Sequence, residues 1–532
     1  MDETVNENLP QPVSDYRRHQ QREIENAENI VDLKWFRLYW VLFLTLCIVL
    51  IESLFKSGVA LGTVIWFAMT EAVAISFAQY CAGTINKKAL LLVVPIALIN
   101  IGNLLFYSIS VQMITWPVAL ALFALQLTYL AKPEKDRLFD FANIYDMPHT
   151  ILINAFAFIP FPFKGLLKFK NEGSKSVVIH IIIGVLIAFP IACIFIALFS
   201  SADQSFAAIV NSLLENLFSN WSEFIWDLII GAIMCIFVSA AFVGANARVL
   251  APRPSSKMFN EVNNVTLGTV LVMVSMVVAL YVGIQFNHWF SSVPANYIQM
   301  DEYANLARGG FFELVWASGF LLALIIVVTM ISAKRNDQLI PLIKAPLLLL
   351  CACNVVVLYS AVEKMAVYIS RSGITSKRIL TLWLIAVILV CLAGIVIKIT
   401  RFSFKAFNFC CVAVIALVCA LSFCDMDYYI AKNHIYLAEH HLIQNIERDM
   451  LSNLSYSAAA PLAAYKNRLI DGESAFDSTM MQDPDTVLCI IGKELDRYER
   501  QILYSIEENP FMGFNFSRLN AQRALWGDEN SR

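Results

Sequence analysis

The ionisable side chains that interrupt long apolar runs are the places in this sequence where chemistry is available. Glu71 lies near the middle of an apolar run, and Asn100, Asn103 and Gln126 lie within the next two runs. A charged group at the centre of a bilayer costs about 2.5–3.5 kcal/mol on insertion scales, so each is a functional candidate by default. An acid among buried amides can relay a proton or a small cation, and the same groups can also hydrogen-bond helices together. A second set, Arg308, Glu313, Glu363, Arg371 and Arg378, falls near the ends of later runs. These five are expected to form a polar cluster at one mouth of a helix bundle.

The remaining candidates are weaker. His434, Glu439, His440 and His441 follow the last run without the His-Glu-x-x-His spacing of a zinc hydrolase. Cys351 and Cys353 point to different faces of a helix and have no nearby His or second Cys pair to complete a tetrahedral site. No metal and no cofactor is therefore expected. A phosphate-cradling Gly loop, a Gly-x-Ser-x-Gly elbow and a nucleic-acid signature are all missing, so the residues favour a non-enzymatic role over an enzyme, and no nucleic-acid partner.

The elements that carry these residues follow from composition. The 532 residues are 58% hydrophobic and 15% charged, with mean hydropathy +0.63, against about 45–50% apolar and about 25% charged in soluble domains. Lipid must be the solvent for most of the chain. Its apolar runs are continuous rather than alternating, which selects helices over a barrel. A helix needs about 20 apolar residues to cross, and eleven stretches qualify: 35–55, 60–83, 89–108, 111–131, 177–201, 225–247, 265–290, 311–333, 345–368, 379–398 and 406–424. The expected fold is all-α, a polytopic transmembrane helix bundle of about 11 spans with a small helical extracytoplasmic C-terminal region. Residues 1–34 read as a disordered cytoplasmic segment with no cleavable signal, 35–424 as the bundle and 425–532 as the tail.

Lys and Arg orient the bundle, because they are retained on the cytoplasmic side. With the N-terminus inside, the cytoplasmic segments hold 23 basic residues and the outer loops 6. The C-terminus is then outside, where acidic side chains outnumber basic ones beyond residue 425. Two loops read as surface-seeking: 132–176, aromatic and basic around Pro160 and Pro162, and 202–223, amphipathic through Phe206, Val210, Leu213, Leu214 and Leu217.

Three stretches resemble a known family. DEYANLARGGFFELV (301–315), VEKMAVYISRSGITSKRI (362–379), and DMDYYIAKNHI (425–435) followed by LSNLSYSAAAPLA (451–463) are similar to motifs of the bacterial membrane family catalogued as domain of unknown function 4173. The resemblance implies a multi-pass protein of the bacterial inner membrane, without an assigned activity. The expected partners are the lipid bilayer and an extracytoplasmic protein or lipid held by the tail. The alternatives are a secondary transporter using Glu71 and a membrane enzyme acting on lipid-linked substrates at the outer face.

Overall fold

The computed structural model describes residues 11–56, 58–132, 153–167, 222–247, 264–290, 300–332, 334–335, 338–401, 403–440, 451–471, 484–508 and 511–527. Among these, nine helices are long and apolar enough to cross a membrane, and a tenth candidate is a helix pair bent by 60°. All ten coincide with predicted spans. The eleventh, 177–201, lies outside the described residues, as does the loop helix predicted at 202–223 except for its last two positions. The chain divides into two units, one holding residues 1–104, 116–252 and 505–514, the other 105–115, 253–504 and 515–532.

The first unit contains α1 (Gln11–Val31), α2 (Phe36–Leu50) with a π-helical turn (Ile51–Lys56), α3 (Leu61–Ala82), α4 (Lys87–Leu90), α5 (Val93–Leu105), most of α6 (Ile109–Leu130), α7 (Asn154–Ala157), α8 (Pro160–Leu167) and α9 (Ser222–Ala247). Phe43, Phe77 and Phe242 bind α2, α3 and α9 together, with ring centroids 4.8–6.1 Å apart. Gly62 lets α3 approach the π turn, because a Cβ there would lie 2.7 Å from that of Ser53. Asn86 caps α4 by accepting from the Lys88 and Ala89 N–H groups.

Over Gln11–Val31 the disorder expected of residues 1–34 is corrected by α1. Its Ala27, Ile30 and Val31 are spaced i, i+3, i+4 and buried, and the Asn26 amide donates to the Ala247 carbonyl at 3.0 Å. Gly165 permits this docking, since a Cβ there would fall 2.3 Å from Val31 Cγ1. Only one turn of α1 is apolar, too little for its polar composition to reveal.

The second unit contains α10 (Asn264–Phe290), α11 (Met300–Ile331), α12 (Pro341–Ser372), α13 (Ser376–Thr400), α14 (Ala406–Ser422), α15 (Met426–Glu439), a 3-10 turn (Tyr456–Ala458), α16 (Ala459–Ile470), most of α17 (Pro484–Glu508) and α18 (Phe516–Trp526). Two-residue strands, Lys334–Arg335 and Gln338–Leu339, pair antiparallel between α11 and α12. Leu271, Ile325, Ile343, Leu347 and Leu392 fill the core of α10 to α13. Met276, Leu280, Trp316 and Phe320 are instead 67–71% exposed, as a wall that faces lipid tails must be.

The bent pair is α14 and α15. The Ile374 N–H, before α13, donates to Asn433 Oδ1 on α15 at 3.1 Å, so both ends lie on the same face. The chain leaves that face through α13, and α14 alone can bring it back. α14 is therefore a complete crossing of 17 residues, at the short end of the range for a span. The bend coincides with the predicted end of the last span at residue 424.

Candidate functional site

Beyond α14 the chain reaches a polar junction built around Asp427, which is 2% exposed. Asp425 opens α15 by accepting from the Tyr428 N–H, and the first turn of the helix then carries Asp427 toward the turn between α5 and α6. The Ser108 hydroxyl donates to Asp427 Oδ1 at 3.2 Å and the Ser455 N–H donates to Oδ2 at 3.1 Å. The Ser455 and Ser457 hydroxyls donate to the Tyr107 carbonyl at 2.6 and 3.3 Å. From α18, the Ser517 hydroxyl donates to the Leu105 carbonyl at 3.1 Å and accepts from the Tyr107 N–H at 3.0 Å. The Tyr107 and Tyr456 rings stack with centroids 4.7 Å apart. The three-residue turn 106–108 and the end of α5 thus have backbone groups bonded by two segments of the tail, at Ser455–Ser457 and Ser517, while a third, at Asp427, takes the Ser108 hydroxyl.

Burial sets the electrostatics of the junction. It pushes the Asp427 carboxyl up, against the pull of the bonds from Ser455 and Ser108, and raises Asp425 to about 6. Burial also pushes up the Tyr107 and Tyr456 phenols, and the nearby Asp427 adds to the shift at Tyr107. These groups anchor one another. No group of three or more His, Cys, Asp or Glu side chains able to hold a metal ion occurs among the described residues.

A second contact fixes α15 to the turn between α12 and α13. His434 donates through Nε2–H to the Ile374 carbonyl at 2.9 Å, and its burial lowers the imidazole pKa. Gly373 has φ +70°, and a Cβ there would lie 2.5 Å from His434 Cε1, so glycine is needed for both conformation and space. Arg378 is buried beneath the same turn, donating to the Gly373 carbonyl and lying 3.9 Å from the Tyr368 ring centroid.

The first unit holds a different polar pair. Gln126 donates through its amide to Glu71 Oε2 at 2.7 Å, joining α6 to α3. Glu71 is 7% exposed and Gln126 is fully buried.

With this geometry in place, the kinship of the chain can be stated. Residues 89–465, more than half of the chain, match the model of a family described as a domain of unknown function, DUF4153. The chain belongs to this family. No curated protein and no solved structure matches it. Membership of DUF4153 upholds the kinship with an uncharacterised-domain family but corrects the particular family, 4173, that the motifs had suggested. The DUF4153 match includes Tyr107, Ser108, Asp427 and Ser455 of the junction, whereas Glu71 and Ser517 lie outside it.

The predicted site residues are distributed as follows. Glu71 and Gln126 meet. Asn100 is buried but donates its amide to the Ile96 carbonyl of its own helix at 2.8 Å, and Asn103 is buried on the same helix. Of the five residues expected at the mouth, Arg378 is engaged with Gly373 and Tyr368, while Glu313 and Glu363 are exposed. The side chains of Arg308 and Arg371 lie outside the described residues. No pairing of Glu313 or Glu363 with an arginine occurs among the described residues. Cys424 and Cys489 are both free thiols. Sequence reasoning missed Tyr107, Ser108 and Ser517. Its one signal was the polar turn at Ser108 between two apolar runs.

Proposed function

We propose that this protein is a non-enzymatic envelope protein in which residues 425–532 form an extracytoplasmic cap fixed to the bundle, and that the cap senses or holds a partner at that face. The observation that carries the reading is the Asp427 junction, where α15, the segment at Ser455 and α18 all bond to one turn between two spans. A tail that bound its partner as an independent module would need no such seat. A cap seated in this way passes a load or a ligand contact directly to the ends of α5 and α6. Lipid or a second envelope protein is the partner class suited to this face, and a bacterial inner membrane is the compartment.

The test compares two variants in cells whose own copy has been deleted. Removing residues 425–532 should reproduce the full deletion phenotype while the bundle still inserts, and Asp427→Ala should reproduce it in part. A truncated chain that inserts and restores the phenotype completely would refute the reading. Accumulation of a lipid-linked intermediate in the deletion strain would point to an enzyme instead.

A further inference from the structure

We propose that Glu71 and Gln126 form a binding site for a single proton within the first unit. The starting observation is a mismatch of donors and acceptors. The Gln126 amide N–H donates to Glu71 Oε2 at 2.7 Å, yet Glu71 Oε1 and Gln126 Oε1 are both buried and have no hydrogen-bond partner. An ionised carboxylate and an amide oxygen are acceptors only, so the ionised pair leaves two buried acceptors without a donor, and each unmet group costs about 1–3 kcal/mol. One proton on Glu71 changes the count. The acid O–H becomes a donor, the amide oxygen is the acceptor facing the same group, and the two side chains can close the reciprocal pair that a carboxylic acid and an amide form. The proton is taken from water and returned to it, and only an O–H bond is made or broken.

The surroundings favour a neutral occupant. α2 runs antiparallel to α3, with Trp66 Nε1 donating to the Leu46 carbonyl at 3.0 Å and Tyr39 packing on Phe77 at 5.0 Å. Glu71 is therefore level with Leu42 and Phe43. Titratable groups on the elements packed against α3 lie near their ends: Arg37 and Tyr39 at the start of α2, Glu52 and Lys56 in the π turn, Asp227 early in α9 and Tyr129 in the last turn of α6. Of the thiols there, Cys47 lies in the last turn of α2, and Cys235, mid-helix in α9, donates to the Trp40 carbonyl at 3.8 Å. No ion pair involves Glu71 among the described residues. A hard metal ion would need about six oxygen ligands, and Asn100, one of the amides expected to accompany Glu71, is already bonded within its own helix.

The test uses the full-length chain in lipid nanodiscs and isotope-edited infrared spectroscopy of its glutamate carboxyls at about pH 5 and about pH 9, the range in which buried glutamates titrate. A protonated carboxyl band at the lower pH, lost in Glu71→Gln and shifted in Gln126→Leu, is expected. Glu71→Gln should retain the thermal stability of the parent, because its amide, like the protonated acid, can donate to the Gln126 oxygen and accept from the Gln126 N–H. If that variant fails to insert, the response of the parent band to Gln126→Leu decides alone. Absence of the band at the lower pH, or its indifference to Gln126→Leu, overturns the proposal. A band that responds to sodium or potassium at constant pH overturns it in favour of a metal-cation site.

Discussion

Replacing Asp427 by Ala removes both acceptors at the junction at once. The Ser108 hydroxyl and the Ser455 N–H then lose their partner, and the N–H is buried with nothing to replace it. Hydrogen bonds to a charged group are worth about 1.5–3 kcal/mol each, so the expected cost is about 3–6 kcal/mol. Asn is gentler: its carbonyl oxygen can keep the Ser455 N–H, and its amide can donate to the Ser108 hydroxyl, which accepts as readily as it donates. Only the charge is lost, at about 1–2 kcal/mol. The cost should appear as local opening, because the bundle has its own core. Hydrogen exchange at the amides of Tyr107 and Ser455 should accelerate about a hundredfold or more in Asp427→Ala and about tenfold in Asp427→Asn, at 1.4 kcal/mol per decade. Exchange in α10 to α13 should be unchanged. Equal acceleration in both variants, or uniform acceleration through α10 to α13, would refute the assignment of Asp427 as the seat.

Other positions give independent checks. Gly373→Ala forces a side chain into a left-handed φ of +70° and against His434; it should cost about 1–2 kcal/mol from conformation alone, with a further loss from the clash, read as a lower melting temperature in detergent. Lys164→Gln removes an ion pair of 3.1 Å whose partners are 55% and 47% exposed, so melting should hardly change, whereas Gly165→Leu should undock α1 and expose it to protease. The Asp425 carboxyl is raised to about 6 by burial. Its stabilising contribution is full below its ordinary value near 3.8 and is lost as pH rises through about 6; tail protection should therefore be higher at about pH 5 than at about pH 7, and Asp425→Asn should reduce the difference, the remainder coming from Asp427, which burial also raises.

The spans were legible because lipid imposes a continuous run of about 20 apolar residues, a signal written in consecutive positions. Glu71 and Gln126 were legible as buried polar groups because each interrupts such a run. Their pairing across α3 and α6 could only have been one choice among the amides available, and Asn100 turned inward to its own helix instead. The junction was hidden for a different reason. Asp427 and Ser455 sit in family-like stretches, but their partners Tyr107, Ser108 and Ser517 are ordinary turn and cap residues whose roles depend on contacts more than 300 positions away in sequence. The described members of the expected cluster, Glu313, Glu363 and Arg378, do not pair with one another, because proximity to a span end fixes depth, not azimuth. Glu313 and Glu363 point outward, and Arg378 turned to the nearer Gly373 carbonyl.

Contacts between distant loops also test the topology, since two segments that touch outside the membrane must be separated by an even number of crossings. Glu28 and Lys164 are bonded, with four predicted spans between them. Ile374 and Asn433 are bonded, with α13 and α14 between. Asn26 and Ala247 are bonded, and their interval holds five described spans; it becomes even when the sequence-predicted span 177–201, outside the described residues, is counted. Asp427 and Ser108, like Gly62 and Met512, then also give even intervals. With that predicted span counted, parity predicts residues 26, 164 and 247 on one face and residues 62, 108, 374 and 427 on the other, without appeal to charge. The excess of Lys and Arg in the sequence predicts the direction, with the first group inside. Cys489 is the exposed free thiol of the tail, and it should react in intact cells with a membrane-impermeant maleimide, while a Cys placed at Lys164 should react only after permeabilisation. Labelling of both from the same side would break the parity, and labelling of Lys164→Cys alone in intact cells would keep the parity and reverse the orientation.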